Sequence, residues 1–221
     1  MNMTPQTALQ RTETLMLDMD GTLLDLAFDN YVWKELVPRR FAAANDMSFA
    51  DARSLLMKKY QAIQGDLEWY CLDHWCDRLG IDVMQLHHDV NYRIGYLPGA
   101  LEFLRSVHKQ DVRVLLVTNA HPDTLALKDS MTGLGDYFDG MVSSHQYGHA
   151  KESQEFWRAL QDDLGFERDT TLLIDDNQTV LRSAREYGIA MLVTVTRPDT
   201  TEPVQQVAEF RGVEKVLDLI C

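Results

Sequence analysis

A chain of 221 residues, 45% hydrophobic and 25% charged, holds ample material for a packed core, which excludes disorder over any long region. A formal charge of -13 excludes a general nucleic-acid-binding surface, which needs clustered Lys and Arg against phosphates. It does not exclude a small phosphorylated ligand, because one metal ion and one or two placed cations reverse the field locally.

Cys71, Cys76 and Cys221 form an odd, sparse set, unlike the dense even frameworks of small secreted domains. No run approaches the ~18 apolar residues of a membrane span, and MNMTPQTALQRTET has no apolar core of signal-peptide length. The expectation is a reduced, cytoplasmic protein with neither a membrane nor a nucleic-acid polymer among its partners.

The length suits a single core carrying a sizeable insertion. Residues 1–13 are polar and predict a loose lead-in. Thr14 to Asp18 predicts a strand, and the stretch LMLDMDGTLL ends it in two carboxylates one residue apart, Asp18 and Asp20, before a break at Gly21. One ionised carboxylate can attack an electrophile while a second, crowded against it, is pushed toward its protonated form and can serve as an acid. Two such carboxylates repel unless a cation sits between them, and a hard, oxygen-preferring ion such as Mg2+ is the natural third member. Taken alone, the stretch also reads as a strand followed by an Asp-Gly hairpin turn. A calcium loop of EF-hand type fits poorly, since it wants a carboxylate or amide at Thr22 and glycine at Leu23.

From about Asp29 to Tyr96, Trp, Tyr, Leu and Met recur at three- and four-residue intervals, which predicts helices at Asn30 to Ala43, Ser48 to Ile63, Leu67 to Leu79 and Val83 to Ile94. Helix and strand then alternate. The predicted helices are Pro98 to Lys109, Pro122 to Thr132, Glu152 to Leu164, Gln178 to Tyr187 and Val213 to Ile220. The predicted strands are Val112 to Thr118, Gly140 to Ser143, Thr171 to Ile174 and Ile189 to Val195. The pattern is that of an α/β fold, an open, mainly parallel, Rossmann-like sheet with helices on both faces, into which a helical module is inserted after the acidic strand end. The expected division is a core of 1–28 and 96–221 and an insertion of 29–95.

In open parallel sheets ligands gather beyond the carboxyl ends of the strands. Those ends deliver Asp18 and Asp20, then Thr118 and Asn119, then Asp175 and Asp176, with Lys151 after the third strand. Each has a plain alternative, as a turn residue, a solvated lysine or a helix cap. Their convergence on one crevice is harder to obtain by accident.

These residues resemble the haloacid dehalogenase superfamily of phosphotransferases. DMDGT at 18–22 is similar to its first motif, Thr118-Asn119 to its second, Lys151 to its third and Asp175-Asp176 to its fourth. The strings DMDGTLLDLAFDNYVW, LVP, WYCLDHW and TNAHP are similar to a bacterial purine 5'-nucleotidase branch acting on GMP and IMP. The resemblance implies a mobile helical cap, nucleophilic attack by Asp18 and acid-base work by Asp20. It further implies Mg2+ held by Asp18, Asp175 and the backbone carbonyl of Asp20, with Asp176 and Gly21 in supporting positions. Thr118, Asn119 and Lys151 would hold phosphate or position substrate. The implied function is Mg2+-dependent hydrolysis of a purine nucleoside monophosphate; a phosphatase or mutase for sugar phosphates or phosphoglycolate is the alternative.

In the insertion, Trp69, Tyr70 and Trp75 could stack on a base, although aromatics at helical spacing usually fill interiors. Cys71, His74 and Cys76 lack the paired spacing of a zinc site. Phe28, Asp29, Asn30 and His121 border the motifs and could touch substrate, or His121 could merely cap a helix. A phospho-receiver module also uses acids, a Thr and a Lys, but its acidic pair comes first in the chain, whereas here the pair comes last.

Overall fold

The computed structural model describes residues 4–220. Met1 to Met3, part of the expected lead-in, and Cys221 lie outside the described residues. Six parallel strands form one sheet: β1 (Thr14–Leu17), β2 (Arg113–Thr118), β3 (Gly140–Ser143), β4 (Thr171–Asp175), β5 (Met191–Val195) and β6 (Arg211–Val213), in the order β3-β2-β1-β4-β5-β6. The sequence alternates its side chains between two apolar layers. Leu15, Leu17, Val114, Leu116, Leu172 and Ile174 enter one cluster, while Met16, Leu115, Val117 and Leu173 enter the other. A strand has a period of two, so each of these short runs is buried on both faces, as a sheet covered by helices on both sides requires.

The order reverses between β1 and β4, where chains leave in opposite directions and a crevice opens beyond the carboxyl ends. Asp18 directly follows β1 and Asp175 ends β4, so the topology alone brings them side by side.

Between β1 and β2 the chain builds a helical insertion with its own apolar cluster, including Phe28, Val32, Phe41, Leu56, Leu72 and Trp75. Its first helix begins at Ala27 rather than Asn30 and widens into a π-helical turn over Val32–Leu36 before Val37–Ala44. Pro38 has no N–H to offer the preceding turn, which accounts for a loss of regular pairing there. The helix expected over Leu67 to Leu79 is two pieces, Leu67–Tyr70 and Leu72–Leu79, joined by an extended Cys71. The Trp75 indole N–H donates to the Trp69 carbonyl, taking over an acceptor that an unbroken helix would give to an amide. The stretch expected as helix to Ile94 ends at Asp89 and continues as a 3-10 turn, Asn91–Arg93.

Two terminal expectations need correction. Pro5–Gln10 is a helix, not a loose lead-in: the Thr4 hydroxyl caps it and Pro5 opens its first turn. The helix expected over Val213 to Ile220 is absent. Arg211–Val213 pairs with Val193–Val195 as the sixth strand, and only a 3-10 turn, Val216–Leu219, follows. The burial of Val213, Val216 and Leu219 at intervals of three matches the 3-10 repeat and imitates an α-helical stripe over so short a span.

His87, 1% exposed, lies at the heart of the insertion, its Nδ1–H donating to the Val83 carbonyl at 2.9 Å and its ring edge-on to Phe28 and Trp33. Burial drives its pKa down to about 4 from an ordinary 6.5, with Lys128 acting the same way. The unfolded chain therefore binds a proton at higher pH than the native one, and stability falls as pH drops from about 6.5 to about 4. We expect His87→Gln to flatten this slope. In urea titrations the difference in unfolding free energy between about pH 7 and pH 5 should shrink by about 2 kcal/mol relative to the parent chain.

Candidate active site

Lys151 is the centre of the crevice. It occupies the turn after β3, ahead of the helix Gln154–Leu164, whose start is fixed by the Ser153 hydroxyl accepting from the Glu155 amide. The helix expected from Glu152 thus begins two residues later. The Lys151 side chain is 2% exposed, and its ammonium donates to Asp18 Oδ1 at 2.5 Å, to Asp175 Oδ2 at 2.8 Å and to the Val117 carbonyl at 2.9 Å. Burial by itself would lower its pKa, but Asp175 and Asp18 outweigh that and hold the ammonium charged.

The carboxylates outnumber their cation. Asp18, Asp175 and Asp176 each present an oxygen within 4.8 Å of the others. Burial, opposed by Lys151 and reinforced by Asp175, pushes the Asp18 carboxyl up to about 7. Asp176 is raised well above the ordinary range by burial and then by Asp175 and Asp18. Three oxygen donors, two buried and that of Asp176 half-buried, with one ammonium among them leave a surplus of negative charge. A proton or a hard divalent cation relieves it, and the donor set suits the cation. Asp176, expected only as a supporting residue, thus offers an oxygen beside those of Asp18 and Asp175. Gly21 has φ +81°, and a Cβ there would lie 2.7 Å from the Asp176 carboxyl and 2.9 Å from Pro198. Only glycine lets the acidic loop pass this close to β4's end.

Asp20 belongs to a second ion cluster, which sequence reading missed. Lys128, from the helix Pro122–Thr132, is also 2% exposed along its side chain and sits 2.7 Å from Asp20 Oδ1 and 2.8 Å from Asp29 Oδ1. Burial and then Asp29 raise the Asp20 carboxyl to about 6 against the pull of Lys128. The two acids of the motif therefore have separate counter-ions.

The remaining expected residues divide. The Asn119 Oδ1 accepts from the Lys151 amide at 2.9 Å, and its Nδ2 donates to Glu152 at 2.9 Å. Glu152, also missed, receives the Tyr70 hydroxyl at 2.6 Å and so links insertion to core. The Thr118 hydroxyl accepts from the Ala120 amide and lines the same cavity. His121 caps the helix Pro122–Thr132 through its Nδ1, and its ring also faces the cavity. Phe28 and Trp75 are packed into the insertion's core; Asn30 donates to Asp199 at 2.6 Å. Cys71, His74 and Cys76 do not gather, since the Cys76 thiol accepts from the Val83 amide instead.

The cavity over these groups measures about 580 Å3, within the range of small-molecule sites, and runs from Asp18, Asp20 and Lys151 up to Trp33, Tyr60, Trp69 and Tyr70 of the insertion. It is polar and charged at its floor and aromatic at its roof.

This chain belongs to the haloacid dehalogenase-like hydrolase family, whose model matches residues 12–188, and it is an enzyme of the hydrolase class. Within that family it is 39% identical, over 193 residues and 87% of each chain, to the GMP/IMP nucleotidase YrfG of Escherichia coli (strain K12), and equally to that of Shigella flexneri. The resemblance read from the motifs is thereby borne out at both levels. Among solved structures it is similar to a HAD phosphatase from Thermococcus onnurineus, with a TM-score of 0.78 at 17% identity, covering 94% of this chain and 96% of that one. It is also similar to the L-2-haloacid dehalogenase of Xanthobacter autotrophicus, with a TM-score of 0.65 at 16% identity over 94% and 96% of the two chains. These likenesses establish the open α/β fold. Among the described residues no helix is long and apolar enough to cross a membrane.

Removing the buried Lys128 ammonium leaves Asp20 and Asp29 facing one another unpaired. We expect Lys128→Met to lower unfolding stability by about 3–5 kcal/mol. Because the cause is electrostatic, the double change with Asp29→Asn should recover part of the loss, measured by denaturant titration at neutral pH.

Proposed function

We propose that the protein hydrolyses a purine nucleoside 5'-monophosphate, GMP or IMP, with Mg2+, through an aspartyl-phosphate on Asp18. The observation that carries this is the pair of acids flanking Met19 on separate cations, Asp18 against Lys151 and Asp20 against Lys128. Neighbouring carboxyls in different environments can take different roles, one as nucleophile and one as proton carrier.

In this reading the Asp18 carboxylate attacks phosphorus in line, and the bond from phosphorus to the leaving ribose oxygen breaks. Asp20 gives that oxygen its proton. It then takes a proton from the water that attacks the acyl phosphate, so phosphate departs and both acids return to their starting states. Lys151 and the Thr118 hydroxyl hold the phosphoryl oxygens, and Asn119 fixes the Lys151 backbone. Asp18, Asp175 and the Asp20 backbone carbonyl would hold Mg2+, with Asp176 supplying or orienting a further ligand. The chemistry a bound Mg2+ supplies is neutralisation of the phosphate and its alignment with Asp18.

Residues 29–95 act as a cap over the core of 1–28 and 96–221, and the aromatic roof receives the base. Trp69 and Tyr70 lie edge-to-face at 4.6 Å beside the cavity and are half-buried, whereas Trp75 is sunk in the insertion's core. Stacking on such rings is worth about 1–3 kcal/mol per base, enough to favour a nucleotide over a bare sugar phosphate. The similarity to the GMP/IMP nucleotidases supports the same substrate class.

The test is phosphate release from a panel of GMP, IMP, AMP, pyrimidine monophosphates, phosphoglycolate and sugar phosphates, with Mg2+ and with EDTA. We expect preference for GMP and IMP and loss of activity in EDTA. Turnover confined to phosphoglycolate or sugar phosphates would keep the catalytic assignment and overturn the substrate; activity undiminished by EDTA would overturn the metal.

A further inference from the structure

Insertion and core meet at a second cluster of ligating groups, of a different chemistry from the carboxylate crevice. The Cys71 thiol and one ring nitrogen each from His121 and His145 lie within 4.8 Å of one another. They arrive from three separate places. Cys71 is the extended break between Leu67–Tyr70 and Leu72–Leu79, His121 opens the helix after β2, and His145 stands in the 3-10 turn Ser144–Tyr147 after β3.

Within this group His145 is the member left without a partner, since the His121 Nδ1 accepts from the Asp123 amide. The Nε2 of His145 is buried and has no hydrogen-bond partner. The two imidazole rings stand edge-to-face, 5.1 Å between centres. Among the described residues the Cys71 thiol has no disulfide partner, Cys76 being turned toward the Val83 amide. Two carboxylates are within reach of His121: Asp123 Oδ2 lies 3.7 Å from the Nδ1 that caps the helix, and Asp73 Oδ2 lies 3.7 Å from Nε2, on a side chain 83% exposed and free to turn.

We propose that Cys71, His121 and His145, with Asp73 as fourth ligand, form a Zn2+ site that fastens the insertion to the core at the rim of the cavity. Thiolate and imidazole are the donors this borderline-soft ion prefers, and Mg2+ does not compete for them. Zinc–sulfur and zinc–nitrogen bonds of about 2.3 and 2.0–2.1 Å bring tetrahedral ligand atoms to roughly 3.3–3.7 Å apart. The group therefore contracts by at most about 1.5 Å on binding. His121 and Tyr70, the neighbour of Cys71, both face the cavity, so a metal tying these elements together hinders exchange of substrate and product. Zinc inhibits from this site without displacing the metal of the crevice.

The test begins with metal-stripped enzyme in excess Mg2+. Zn2+ is titrated against a chromophoric chelator, and Co2+ is used in parallel to read the thiolate-to-metal charge-transfer band. We expect one zinc equivalent in the parent chain. Cys71→Ser and His145→Gln should each bind it at least about tenfold more weakly, Cys71→Ser should lose the cobalt–thiolate band, and both should keep Mg2+-dependent turnover while escaping zinc inhibition. Zinc affinity unchanged in both variants would assign the ion to the carboxylates and overturn the site. So would a cobalt complex without a thiolate band, or no zinc uptake by the parent chain. The binding readout needs no substrate, so it stands apart from the identity of the nucleotide.

Discussion

The crevice depends on one buried ammonium. Lys151 touches groups from the ends of three adjacent strands, Asp18 after β1, the Val117 carbonyl of β2 and Asp175 of β4. A lysine this deep is tolerable only because two carboxylates surround it, and they in turn need it. The parallel sheet supplies the convergence: once β1 lies between β2 and β4, the residues following each strand have one place to go. The negative charge left over after Lys151 suits a cation, and in the proposed reading that cation would draw in an anionic phosphate.

A second lysine couples that chemistry to the insertion. Lys128 comes from a core helix yet binds Asp20 of the motif and Asp29 of the insertion's first helix, with the Phe28 ring 5.4 Å from its ammonium. The Tyr70–Glu152–Asn119 chain of hydrogen bonds makes a similar link on the other side of the cavity. Movement of the insertion would therefore alter the surroundings of Asp20 and of Asn119 at the same moment, and in the proposed mechanism it would tie closure over a substrate to assembly of the catalytic groups.

Much of this was legible in the sequence because it is local. The apolar runs ending in Asp18, Thr118 and Asp175 mark strand and site together, and Gly21 marks the turn. The sixth strand was missed because Arg-Gly-Val is short and its neighbours repeat every three residues, like a helix. Lys128 carries no local signal, since it sits among PDTLALKDSMT on a helix with apolar and polar residues all round; only the tertiary arrangement sets Asp20 and Asp29 beside it. Glu152 was hidden beside the lysine that carries the motif. The cluster of Cys71, His121 and His145 spans more than seventy positions of sequence and exists only where insertion meets core. Trp75 shows the opposite error, an aromatic that lines the cavity but is held mainly by packing against Trp33 and Tyr60.

The central claim is that the carboxylate held by Lys151 becomes covalently phosphorylated. The most direct measurement is rapid acid quench of a single turnover with GMP labelled in its phosphate, followed by peptide mapping. The account predicts transient label on the peptide carrying Asp18, released by hydroxylamine and absent from Asp18→Asn. Turnover proceeding with no protein-bound label at any quench time, or label retained in Asp18→Asn, would contradict it.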